Sequence, residues 1–189
     1  MAQIMVPTSD IAAGSWTTAP LFSKVDDDST VNPTGDGTVI NSDNNSSPDN
    51  ADFGLTDPST PDTGDHILRA RWNRDQAASH SIHGTLELWQ GTPGSGTLIA
   101  TLTSAQPIET TEVEDTYTLS GTEVGNITDY SGLALRVSRI GGVGGPGGNR
   151  EFLIVDLIEL EIPDAAAAAA FPEELHILKK RRFVPLLVR

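Results

Sequence analysis

The sequence predicts an all-β protein, an antiparallel jelly roll or β-sandwich of about eight strands, with an extended C-terminal arm in which one short helix fits. Three observations predict it. From residue 66 onward, short runs rich in Leu, Ile, Val, Thr and Trp alternate apolar with polar positions, the period of a strand with one buried face. Gly/Pro/Ser clusters separate these runs at the spacing of hairpin turns. No convincing helix precedes residue 165.

The elements follow in order. Residues 1–24 form an N-terminal extension and a first strand, and residues 25–65 are Asp/Asn-rich loops of the same domain. The second stretch holds ten Asp and no Lys or Arg, so it has turn chemistry throughout and too little apolar area for a core of its own; GTVIN (37–41) and ADFGLTD (51–57) are its short strands. Residues 66–164 are the core of the sandwich. In HILRARW (66–72), Leu68, Ala70 and Trp72 face inward, opposite Ile67, Arg69 and Arg71, which leaves the two arginines in solvent. GTLELWQ and GTLIATLT, joined by Gly91 to Gly96, read as a hairpin whose Leu86 and Leu88 face the same core as Leu98, Ala100 and Leu102. EDTYTLS is a strand, GTEVGNITDY a helical turn, GLALRVSRI a strand, GGVGGPGGN a glycine loop and REFLIVDLIELEIP a long final strand.

Six alanines at 165–170 lead into the arm, residues 165–189. Pro172 suits a first helical position, Glu173 and Glu174 its positive end, and Lys179 to Arg182 its negative end. Pro185 then makes FVPLLVR extended. The charge balance changes at the same place. Residues 1–164 carry 7 Lys+Arg against 24 Asp+Glu (7 − 24 = −17), and residues 165–189 carry 5 against 2 (5 − 2 = +3). The arm is therefore read as a docking segment. Lys179, Lys180, Arg181 and Arg182 pair with acidic groups of a partner, and Phe183, Val184, Leu186, Leu187 and Val188 bury against it.

A net charge of −14 disfavours nucleic acid, which needs clustered cations. The start of the chain lacks a basic n-region and no 18 apolar residues run together, so neither a secretory signal nor a membrane segment is expected. With no cysteine there is neither a disulfide framework nor a thiolate zinc site.

Candidate chemistry is sparse. GVGGPG (142–147) has the spacing of a dinucleotide-binding loop but contains Pro146 and opens no helix. His80 and His83 lie close enough to share a metal with Asp75, and Asp26, Asp27, Asp28, Asp36, Asp43 and Asp65 supply hard oxygen ligands. An EF-hand frame starting at Asp43 nevertheless puts Pro48 where glycine is required, and the expectation is no cofactor and no metal. His66 and His176 are isolated in the sequence. Glu159 and Glu161 alternate as a solvated face does, and no nucleophile is tied to a His and an acid, so no enzyme activity is expected. Trp72 and Trp89 are candidates for a sugar-stacking platform, with Trp89 on the opposite parity from Leu86 and Leu88 and hence outward.

Taken together, VPTSDIAAGSWTTAPLFSKVDDD, DHILRARW, GTLELWQGTPGSGTLIAT, YTLSGTEVGNITDYSGLALRV and LIELEIPD resemble tailed-bacteriophage virion structural proteins with a jelly-roll or β-sandwich domain, of the capsid decoration or auxiliary type. The likeness covers residues 5–163. It implies a non-enzymatic, cement-like protein of the phage particle surface, assembled in the host cytoplasm. Its partners would be the major capsid protein or other virion subunits, with self-association on the lattice and no nucleic acid or membrane. The alternatives are a neck, tail or fibre-associated component and a carbohydrate-binding β-sandwich module.

Overall fold

The computed structural model describes residues 2–17, 19–30, 37–43, 48–59, 61–75, 82–104, 107–141 and 152–164. The strands in these residues are β1 (Ala2–Met5), β2 (Pro7–Ala12), β3 (Ile40–Asn41), β4 (Asp49–Leu55), β5 (Ile67–Arg74), β6 (Ile82–Gln90), β7 (Thr97–Thr103), β8 (Val113–Thr118), β9 (Leu133–Gly141) and β10 (Leu153–Pro163). They form two antiparallel five-stranded sheets. One has the order β1-β10-β5-β8, with β3 also on β10, and the other has the order β2-β4-β9-β6-β7. β1 pairs with one end of β10 and β3 with the other, both opposite the side taken by β5. The chain passes from the first sheet to the second at Val6, between β1 and β2. The fold is a β-sandwich, as the alternation predicts.

Its core lies between the sheets. Leu68, Ala70 and Trp72 of β5 and Val155, Ile158, Leu160 and Ile162 of β10 meet Phe53, Leu86, Leu88, Leu135 and Val137 from the other sheet, all of them buried. Each Val, Leu, Ile and Phe among them contributes roughly 1.5–3 kcal/mol through burial. The expected helical turn is present as α1 (Gly121–Gly125), and a local signal fixes it. Ser120 Oγ accepts from the Glu123 amide at 3.3 Å while the Glu123 carboxylate accepts from the Ser120 amide at 2.6 Å, a capping box.

Several expectations are corrected. Arg71 is buried rather than solvated, and Arg69 is partly covered. On the outer face of the first sheet they meet acids from both neighbouring strands: Arg71 donates to Asp156 (3.1 Å) and Glu114 (3.3 Å), and Arg69 pairs with Glu161, Glu159 and Glu114. Glu159 does not lie on a solvated face either. It is fully buried because Ser29, from the Asp-rich segment, covers it and donates through its amide (3.1 Å) and hydroxyl (2.6 Å). Leu98 is 44% exposed instead of joining the core. The register of β6 and β7 slips between Leu88 and Trp89, so Ile99 takes the buried place and Leu98 turns outward opposite Trp89. Of GTVIN only Ile40–Asn41 is strand.

Burial pushes the Glu159 carboxyl above the usual glutamate range despite its two bonds from Ser29 and the nearby Arg69. The cause fits the geometry: Arg69 Nε lies 3.1 Å from Glu159 but makes no aligned hydrogen bond there, and its Nη2 is given to Glu161. A carboxyl whose pKa is raised by folding costs stability while ionised, and the cost is relieved as the pH falls through the raised value toward the ordinary one. The wild type therefore gains melting temperature relative to Glu159→Gln as the pH drops from about 7 to about 4.5. Melts of the two proteins across that window check this, and a gap that moves the other way refutes the assignment.

Candidate functional site

The outer face of the sheet β2-β4-β9-β6-β7 collects a set of side chains in three cross-strand rows, because residues of the same parity on paired strands stand directly opposite one another. The first row runs Leu98, Trp89, Ala134, Gly54, Ser9. The second runs Thr101, Glu87, Arg136, Asp52, and the third Thr103, Thr85, Ser138, Asn50.

In the first row large side chains stand on β7 and β6 and small ones on β9, β4 and β2. Over the small residues Gly54 and Ala134 lies a hollow of about 390 Å³, edged by Ser9, Ile11, Thr92 and Ser131. A Cβ on Gly54 would fall 2.7 Å from Ser9 Oγ, so any larger residue at 54 would intrude on this floor. At the far end of the face, Asn50, Thr85, Glu87, Arg136 and Ser138 line a second hollow of about 230 Å³.

The polar row between them is held rigidly. Arg136 donates from Nε to Asp52 Oδ1 at 2.7 Å and from Nη2 to Asp52 Oδ2 at 2.9 Å, the two-pronged geometry of a guanidinium on a carboxylate. Its Nη2 also donates to the Pro93 carbonyl at 3.1 Å. The bonds it donates to Asp52 raise the already high pKa of Arg136, which stays cationic. The guanidinium carbon lies 5.8 Å from the centroid of the Trp89 ring, a cation–π contact, and the indole Nε1 donates to Glu87 at 2.9 Å. Trp89 is thus half-buried, fixed in orientation from two sides, and flanked by the exposed Leu98.

The outward placement expected for Trp89 is what the structure has. Trp72 cannot share a platform with it: the ring is fully buried between the sheets, and its Nε1 donates to Asp115 at 2.9 Å. Sequence reasoning missed Arg136, Asp52, Glu87 and Leu98. Three of these have a parity signal within their own strand, but their convergence depends on pairing β4, β9 and β6 across as many as 84 residues of chain.

The other expected sites are dispersed or lie elsewhere. His83 is on β6 with Nδ1 3.3 Å from Ser104 Oγ, whereas His80, Asp36 and His176 lie outside the described residues. His66 is buried and clamped, Nδ1 to the Gly64 carbonyl and Nε2 to the Tyr130 hydroxyl, both at 2.7 Å. Because a carbonyl only accepts, Nδ1 carries the proton in the neutral ring and Nε2 accepts from the tyrosine. Asp28 caps a turn by accepting from Thr30, and among the described residues no three His, Asp or Glu are placed to hold a metal ion. The glycine loop 142–147 and the whole arm, with Lys179, Lys180, Arg181, Arg182, Phe183, Val184, Leu186, Leu187 and Val188, lie outside the described residues. Among those described, no helix is long and apolar enough to cross a membrane.

No family model and no curated protein matches the chain. Among solved structures it aligns with a truncated AlyQ carrying CBM32 and alginate lyase domains, at 16% identity and TM-score 0.40, covering 86% of this chain but only 34% of that one. It also aligns with TmCBM61 in complex with β-1,4-galactotriose (10% identity, TM-score 0.37, 84% of this chain and 86% of that one) and with a CBM4 structure (13% identity, TM-score 0.31, 61% and 72%). These findings correct the expected role in capsid decoration: two of these three structures are carbohydrate-binding modules, the other carries one beside a lyase domain, and none of the three is a phage virion protein.

Proposed function

We propose that this chain is a non-enzymatic carbohydrate-binding β-sandwich module that lays a glycan across the outer face of the sheet β2-β4-β9-β6-β7. The observation that carries the reading is the first cross-strand row, in which a fixed, half-buried indole and an exposed leucine share a row with Ala134 and Gly54, the floor of a hollow. A pyranose has an apolar face of C–H bonds and an equatorial rim of hydroxyls. The first fits a flat aromatic held rigid in advance, and the second fits the adjacent row, where Glu87 and Asp52 accept and Arg136 donates. Because the polar row is already cross-linked, little side-chain entropy is lost when a sugar docks.

Affinity electrophoresis in gels containing soluble polysaccharides, followed by calorimetry with the oligosaccharide of whichever retards the protein, tests this. Trp89→Ala should weaken binding by about 2 kcal/mol or more, roughly 30-fold, as truncating a central aromatic anchor does. Binding should also change the tryptophan fluorescence, and the signal reports on Trp89 because Trp16 and Trp72 are buried. If Trp89→Ala binds as tightly as the wild type, the face is not the site.

A further inference from the structure

Resting on that reading, we infer that this sheet face selects neutral, hydroxyl-rich glycans and rejects those bearing carboxylates or sulfates. The three rows hold two acids, Asp52 and Glu87, and one cation, Arg136, a balance of 1 − 2 = −1. The charge of the cation is already matched: two of its nitrogens donate to Asp52, one of these also to the Pro93 carbonyl, and the guanidinium carbon lies 5.8 Å from the centroid of Trp89. Among the described residues, no charged side chain lines the larger hollow, and Glu87 and Arg136 are the charged ones lining the smaller. His83 lies one row beyond, opposite Ile140 and in contact with Ser104.

A uronate or sulfate seated against Trp89 would therefore meet Glu87 with no cation within the rows beyond the one already neutralised by Asp52, and unscreened like charges at such distances repel. A neutral sugar offers hydroxyl protons instead, and carboxylates are the strongest acceptors a site can present to them. The choice is made by an unfavourable contact with the wrong ligand as much as by a favourable one with the right ligand.

The test is retardation of the full chain in gels carrying neutral polysaccharides (galactan, xylan, galactomannan, mixed-linkage β-glucan) or anionic ones (alginate, polygalacturonate). It is run at low salt and again at about 0.5 M NaCl, where the screening length falls to about 4 Å and repulsion by the acidic body as a whole is largely removed. At least one neutral polymer should bind at both salt concentrations, about tenfold or more tightly than either anionic polymer, and Trp89→Ala should weaken it by roughly 30-fold or more. Anionic polymers that bind as strongly as neutral ones and release on Trp89→Ala overturn the selectivity while leaving the glycan-binding reading intact. A chain retarded by neither class overturns both.

Discussion

Replacing Trp72 with alanine lowers the unfolding free energy by about 3–5 kcal/mol, the range for removing a buried aromatic side chain. The ring comes from β5 of one sheet and lies flat on β6 of the other: a Cβ built on Gly84 would fall 2.7 Å from two of its carbons and 3.1 Å from Ile108 Cδ1. Gly84 sits mid-strand, where glycine is otherwise unfavourable, because the indole occupies the place of its side chain. Alanine at 72 thus leaves a cavity that a glycine across the interface cannot fill, and it removes the bond from Nε1 to Asp115. At about 2–4 °C per kcal/mol for a chain of this size, the melting temperature falls by roughly 6–20 °C. Urea unfolding should show a lower midpoint with an unchanged slope. Below that transition the Trp72 variant retains glycan binding, whereas Trp89→Ala loses binding with little change in stability. A Trp72→Ala melt within about 2 °C of the wild type would mean that the ring is not the inter-sheet key.

The two tryptophans mark what the sequence makes legible. Parity places Trp72 with Leu68 and Ala70, inside, and Trp89 against Leu86 and Leu88, outside, and both placements hold because a strand has a fixed period of two. Parity fails where a strand gains a residue. The slip opposite Trp89 moves Leu98 out and Ile99 in, and the slip between Val155 and Leu157 inserts Asp156 into β10; neither carries a glycine or proline that announces it. Parity also separates the faces of one sheet without saying what covers the outer face. Arg69, Arg71 and Glu159 read as solvated until Ser29 and the acids of β8 and β10 are placed over and beside them. The row of Glu87, Arg136 and Asp52 is hidden for the same reason: it exists only once three strands distant in sequence are paired.

Replacing Arg71 with alanine should cost about 3–5 kcal/mol, because it strands a buried charge rather than merely deleting a contact. Arg71 and Asp156 are each 4% exposed and bonded at 3.1 Å, and Arg71 also reaches Glu114 at 3.3 Å and Glu112 at 3.7 Å. Burial and then Asp156 already hold the Glu112 carboxyl above its usual range, although Arg71 opposes them. Without the arginine, Asp156, Glu112 and Glu114 confront one another across the bulge. Asp156 then resists ionisation in the folded state, so the deficit of Arg71→Ala should shrink as the pH is lowered from about 7 toward about 5, the direction required when a carboxyl pKa is raised by folding. The double replacement Arg71→Met with Asp156→Leu separates the two possible origins of the loss. If charge compensation dominates, removing both partners together recovers most of it, since well-packed apolar side chains of similar volume replace a buried ion pair at little cost. If urea midpoints instead show the double variant as unstable as Arg71→Ala, the loss lies not in the Arg71–Asp156 pair but in Glu112 and Glu114, which both variants leave without their cation.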